Sequence, residues 1–113
     1  MEKLKKYEEI VVGILNSYAQ EWDQSNSAVK SQVIADIEGR HYQLIRIGWI
    51  NNEEYIHNCI FHFDIINGKV WIQENRTDIL IAEELVKQGI DKKDIVLGIL
   101  PPTLRADSEY ASA

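Results

Sequence analysis

Asn67-Gly68 stands between two alternating runs, Cys59 to Ile66 and Lys69 to Glu74, and this pair constrains the fold more than any other feature of the chain. Asn-Gly is the strongest short-range signal for a two-residue type I′ hairpin turn. Both central residues of that turn take φ > 0, which Asn tolerates and Gly adopts freely. The turn sets a register in which Ile66 opposes Lys69, Ile65 opposes Val70, Asp64 opposes Trp71, Phe63 opposes Ile72 and His62 opposes Gln73. Side chains alternate across a strand, so Phe61, Phe63, Ile65, Val70 and Ile72 share one unbroken apolar face. His62, Asp64, Trp71 and Gln73 share the other, mixed face. A slip of one residue would send His62 and Asp64 into the core, and the register is therefore strongly specified.

An apolar hairpin face needs a cover, and the N-terminal segment supplies one. Leu4, Tyr7, Val11, Ile14, Tyr18 and Trp22 recur at intervals of three and four, with Ile10 and Leu15 widening the stripe. That spacing predicts an amphipathic helix from residue 3 to about 23. At 1.5 Å per residue such a helix spans about 30 Å, enough to cross four strands. Asp23-Gln24-Ser25-Asn26-Ser27 reads as a polar loop. Strands follow at about Lys30–Glu38, with Val33, Ala35 and Ile37 on one face, and at about His41–Ile50. Gly39-Arg40 joins them, placing Tyr42 opposite Ile37 and Leu44 opposite Ala35 if the loop has two residues. Asn51-Asn52-Glu53-Glu54 turns into a third strand, about Tyr55–Ile66, long enough to bend or bulge midway. The fourth is about Lys69–Gln73.

Beyond the hairpin, Thr77 reads as the N-cap of a helix from about 78 to 88, ended by Gly89 at C′ with Ile90 against Leu85. Asp91 reads as a second N-cap, with Asp94 at N3 and an Ile90–Ile95 staple, predicting a helical turn through about Leu97. Pro101-Pro102 is then expected to forbid regular helix or central strand at that point. Leu104 to Ala113 is polar apart from Tyr110, an end either loosely held or folded onto a partner. The expected architecture is α+β, a single domain over 1–113. A long N-terminal helix packs on a four-stranded antiparallel meander, followed by two short C-terminal helices.

Charge and composition exclude several functions. Eighteen Asp and Glu against twelve Lys and Arg leave a net charge of −6, with no basic stripe to neutralise phosphates. Direct DNA binding is not expected from this chain. No apolar run reaches the 18 residues of a membrane span, and the N-terminus has no apolar signal core. The lone Cys59 makes no internal disulfide, and the cytosol is the expected compartment.

Candidate chemistry is sparse. His62 and Asp64, two residues apart on one face, form a minimal general-base pair, yet no nucleophile or catalytic motif accompanies them. Partly exposed, hydrogen-bonded strand residues are the plainer reading. His41, His57 and His62 are the histidines available to a metal, but no ligand spacing joins them, and neither metal nor cofactor is expected. Trp49 and Trp71, with Arg46, are residue types enriched at protein interfaces. The expected partner-binding set is Arg46, Trp49, His62, Asp64, Trp71, Gln73 and Arg105, and a homodimer through the second-strand face is a further expectation.

A set of strings runs from His41 onward: His41-Tyr42-Gln43-Leu44, Gly48-Trp49 and His62-Phe63-Asp64-Ile65, then Gly68 to Asp78 (GKVWIQENRTD), Ile81 to Val86 (IAEELV), Asp94 to Gly98 (DIVLG) and Arg105. By these strings the chain resembles the XisI family, the excision controlling factors of cyanobacteria. The resemblance implies a non-enzymatic factor controlling site-specific excision of a DNA element by binding an XisH-like nuclease or a recombinase. An acidic chain suits binding to a basic partner, where charge complementarity speeds association. The alternatives are a direct DNA-binding accessory and a small enzyme built on His62 and Asp64.

Overall fold

The structure is a computed structural model that describes residues 2–24 and 28–113. Ser25, Asn26 and Ser27 of the expected polar loop lie outside the described residues. The amphipathic stripe forms α1 (Glu2–Asp23), which buries Tyr7, Val11, Ile14 and Leu15. Strands β1 (Lys30–Asp36), β2 (His41–Ile50), β3 (Glu54–Ile66) and β4 (Lys69–Asn75) follow as antiparallel neighbours. Helix α2 (Ile81–Gln88) carries the chain to β5 (Ile95–Leu97), which pairs with β4 in parallel. A four-residue helix, α3 (Pro102–Arg105), precedes the tail.

The hairpin forms as the turn chemistry dictates. Asn67 and Gly68 have φ of 52° and 78°, the left-handed values of a type I′ turn. Pairing from Ile66–Lys69 to Phe63–Ile72 follows the expected register, and Phe61, Phe63, Ile65, Val70 and Ile72 are all buried. α1 closes this face. The rings of Tyr18 and Trp22 stack 5.5 Å apart, each lies within about 6 Å of Phe61, and Phe61 stacks on Phe63 at 5.9 Å. Tyr42 and Leu44 of β2 complete the core beneath the helix.

Several details depart from expectation. The sheet has five strands and is mixed, because Ile95-Val96-Leu97 runs beside β4 in place of a helical turn. Only Lys92–Asp94 turns helically, as a 3₁₀ segment capped by the Asp91 carboxylate, which accepts from the Lys93 amide at 2.9 Å. Asp94 does not close a capping box: its carboxylate accepts instead from Tyr7 Oη at 2.6 Å and pairs with Lys3 Nζ at 2.7 Å. Three apolar residues are too few to separate a strand from the end of a staple. Thr77 is not the N-cap of α2, which starts at Ile81. The Thr77 hydroxyl accepts from the Ile79 amide in a local turn that competes with helix. Pro102 opens α3 at a first-turn position, where a missing N–H costs nothing.

The β1–β2 loop has four residues, so Ala35 opposes Tyr42 and Val33 opposes Leu44. This two-residue shift leaves every face as expected, because the strand period is two. At Gly89 (φ 119°) the helix ends in a full Schellman motif. Ile90 N–H bonds Leu85 C=O and Gly89 N–H bonds Val86 C=O, with both Leu85 and Ile90 buried.

The tail docks on its own sheet. Ala111 N–H bonds Ile95 C=O at 2.8 Å, and Ala111 bridges Val96. Lys92 Nζ lies 5.9 Å from the centre of the Tyr110 ring.

Burial separates the two aromatic sets in a measurable way. Phe61→Ala leaves a cavity under Tyr18 and Trp22 and is expected to cost about 3–5 kcal/mol, whereas Trp49→Ala on the open face shifts stability by roughly 0.5 kcal/mol or less. Urea unfolding midpoints of the two variants check the contrast.

Candidate functional site

The side of the sheet away from α1 has two regions. Across β4 and β5 it is partly covered by the C-terminal segment. The Arg105 guanidinium sits 5.0 Å from the centre of the Trp71 ring, and its Nε donates to the carbonyls of Leu97 (3.2 Å) and Leu100 (3.0 Å). At the Asn51-Asn52 end of β2 and β3 the face is open, while Ile45 farther along β2 is buried. Trp49 opposes Tyr55, with ring centres 5.1 Å apart, and both are half exposed, at 52% and 51%. Ile47 opposes His57 one step along, and Ile34 stands on β1 at 47% exposure. These residues make an aromatic and aliphatic strip on a sheet face, a composition suited to protein contact.

At the hairpin end of this face, across β2 to β4, lies a hydrogen-bonded cluster. Asp64 Oδ1 accepts from His41 Nδ1 at 2.7 Å and His62 Nε2 at 2.9 Å, while Gln73 Nε2 donates to Asp64 Oδ2 at 3.1 Å. Asp64 is 8% exposed, the buried polar residue of the described core.

Two bulges assemble this cluster. In β3, Ile60 is an extra residue between the Leu44–Phe61 and Ile45–Cys59 pairs. Without it, the pairing set at the Asn51-Asn52 turn would bring His41 opposite Phe63; with it, His41 opposes Asp64. In β4, the shift between Phe63–Ile72 and His62–Glu74 makes Gln73 the extra residue, so His62 opposes Glu74 and not Gln73. Gln73 is thereby released from a cross-strand pair and reaches diagonally to Asp64. Bulges are enriched beside functional sites, where they re-aim side chains.

The hydrogen bond to Asp64 raises the His41 pKa above its ordinary 6.5, with the nearby Asp36 carboxylate adding to the effect. Burial pushes the Asp64 carboxyl up. The hydrogen bonds from His41, His62 and Gln73 outweigh burial and hold its pKa below the ordinary carboxylate value. The His41 contribution to stability is thus present at low pH and lost as pH rises through its raised value. The Asp64 contribution is present above the ordinary carboxylate range and lost as pH falls through its depressed value. The cluster is strongest between the two.

Of the expected partner-binding residues, Trp49, His62, Asp64, Trp71 and Gln73 share the face away from α1. Arg46 does not. It lies on the α1 side, paired with Asp23 at 3.0 Å, donating to Ser31 Oγ and the Val29 carbonyl, with its guanidinium 5.7 Å from the centre of the Trp22 ring. There it ties the end of α1 to β1 and β2. Arg105 is occupied with backbone carbonyls and Trp71. Of the three histidines, His41 and His62 meet at Asp64, while His57 stands farther along beside Tyr55, with ring centres 6.3 Å apart. Sequence reasoning missed Tyr55, which counting back from the Asn51-Asn52 turn would have found. It also missed the His41–Asp64 pair, which no periodicity finds because the Ile60 bulge creates it. Among the described residues no helix is long and apolar enough to cross a membrane.

A helix laid across one face of a five-stranded mixed sheet, with a His–Asp–His cluster and an aromatic strip on the other, defines a class of small α+β protein. The chain belongs to the XisI family, whose model, XisI protein, matches residues 1–112. It is similar to an XisI-like protein from Anabaena variabilis ATCC 29413, with 44% identity over 97% of this chain and 99% of that one and a TM-score of 0.90. It is also similar to the fdxN element excision controlling factor XisI of the same organism, with 30% identity over 98% and 99% of the two chains and a TM-score of 0.83. No curated protein matches the chain. The family read from the strand and helix strings is the family found.

A histidine NMR titration reports on the cluster. The His41 midpoint is expected above 6.5, and Asp64→Asn is expected to bring it down towards that ordinary value.

Proposed function

We propose that this protein is a non-enzymatic accessory factor that controls the site-specific excision of a DNA element by binding a protein partner, an XisH-like nuclease or a recombinase. The observation that carries this reading is the open strip of Trp49, Tyr55, Ile47 and Ile34. Half-exposed aromatic rings in contact on a sheet face offer the rigid anchors on which interfaces concentrate their binding energy. His62 shares the Ile34–Gln43 row at the end of the strip away from Trp49 and Tyr55, and with Asp64 and Gln73 it offers polar groups there. A net charge of −6 favours a basic protein partner and disfavours phosphate backbones. One relative is an excision controlling factor, and the chain covers nearly all of it.

Co-expression with an XisH-like protein, followed by size-exclusion chromatography, tests the proposal. A co-eluting complex is expected, lost on Trp49→Asp combined with Tyr55→Ala while the urea midpoint of the free variant holds. Separate elution of the unaltered proteins at micromolar concentration overturns it. So does a gel shift of recombination-site DNA by this chain alone that weakens steeply with salt, which makes direct DNA binding the better reading.

A further inference from the structure

Three side chains that converge at the hairpin end of the open sheet face also make a set of metal ligands. His41, His62 and Asp64 each offer one ligand atom, and those atoms lie within 4.8 Å of one another. We propose that His41, His62 and Asp64 form a binding site for a divalent transition-metal ion of the zinc class, with Gln73 holding the carboxylate in position. This inference does not rest on the partner-binding reading.

The donor set selects the ion. Two imidazoles and one carboxylate suit zinc, cobalt, nickel or ferrous iron, whereas magnesium and calcium take oxygen ligands. The geometry needs a local adjustment: the two imidazole nitrogens, within 4.8 Å of each other, must draw together as each withdraws from Asp64. A tetrahedral ion with ligand bonds near 2.0–2.2 Å holds neighbouring donors about 3.3 Å apart. His41 Nδ1 and His62 Nε2 now lie 2.7 and 2.9 Å from Asp64 Oδ1, so each must withdraw by roughly half an ångström. The His41 side chain is 54% exposed and has room to do so.

In the metal-free protein His41 Nδ1 and His62 Nε2 each donate to the carboxylate. On metal binding each of these nitrogens gives up its proton, to the ring's other nitrogen or, from a doubly protonated ring, to water, and the vacated lone pair takes the ion. The carboxylate stays ionised in both states, so the fold is satisfied with or without the ion.

The surroundings support a cation. Gln73 Nε2 donates to Asp64 Oδ2 at 3.1 Å, the outer-shell contact that orients a ligating carboxylate. Asp36 pairs with His41 in the same cross-strand row and adds a second negative charge. Both bulges serve the cluster, since Ile60 brings His41 to Asp64 and the shift at Gln73 frees that side chain to reach it. Exposure of His41 leaves the remaining coordination positions accessible to water or to an outside donor. This is the mark of an exchangeable site and not of a closed structural one.

The test uses the full chain, stripped with chelator and without any partner. Zinc(II) is titrated by calorimetry and cobalt(II) by visible absorption, with tryptophan fluorescence followed because Trp71 opposes Asp64 in the sheet. A single ion per chain is expected, with a cobalt ligand-field band and quenching of tryptophan emission. His41→Gln and His62→Gln are each expected to weaken binding roughly tenfold or more, while His57→Gln leaves it unchanged and magnesium and calcium do not compete. Urea midpoints verify that the variants fold. Absence of zinc and cobalt binding by the unaltered chain overturns the proposal, as does equal affinity in His41→Gln and His62→Gln. Co-elution with the partner, repeated in chelator, reports on the partner reading separately.

Discussion

The contact between the apolar side of the hairpin and α1 is what the rest of the molecule depends on. Phe61 packs against Tyr18 and stacks on Trp22, Phe63 stacks on Phe61, and Tyr42 and Leu44 fill in from the neighbouring strand. Each large side chain buried this way contributes roughly 1.5–3 kcal/mol relative to exposure, so this one seam outweighs the surface ion pairs together. It also sets the polarity of the sheet. With one side sealed, every residue alternating to the other side must be partly wet, covered by the tail, or available to another molecule. The tail covers β4 and β5. Among the described residues nothing comparable lies on Trp49 and Tyr55.

Regular pairing would have put ordinary residues beside Asp64. Two inserted residues, one in each of two adjacent strands, break the period of two and bring His41 and Gln73 to the same carboxylate. Both strands resume alternation beyond the insertions, so the core is undisturbed and the change is confined to the opposite face. Each bulge leaves an unpaired residue, and the molecule uses both: the Ile60 carbonyl accepts from the Arg76 amide at 3.0 Å, and Gln73 satisfies Asp64. Local irregularity here is tied to a defined polar cluster.

How far the sequence could be read follows from these same forces. The hairpin, its buried set, α1 and the stop at Gly89 were legible because each rests on a local rule: a turn dipeptide, a repeat of 3.6 or 2, a left-handed cap. The fifth strand was not legible. Ile95-Val96-Leu97 is three residues long, and its pairing with β4 depends on where α2 returns the chain. The start of α2 was misread because Asn75 and Thr77 spend their side chains on a local turn, with Asn75 Oδ1 accepting from the Thr77 amide at 2.9 Å. Half of the candidate site was visible, as His62, Asp64 and Gln73 on one strand face. His41 was hidden by a bulge whose position no spacing announces, whereas Arg46 stands on the sealed side by the same alternation that puts Tyr42 and Leu44 there, and pairs with Asp23.

The central claim is that the sheet has one side closed by α1 and one side left open around Trp49 and Tyr55. Hydroxyl-radical footprinting of the free chain, read residue by residue by mass spectrometry, tests it most directly. Rapid oxidation of Trp49 and Tyr55 beside protected Phe61 and Phe63 is the predicted pattern. Oxidation of Phe63 as fast as Trp49 would contradict it.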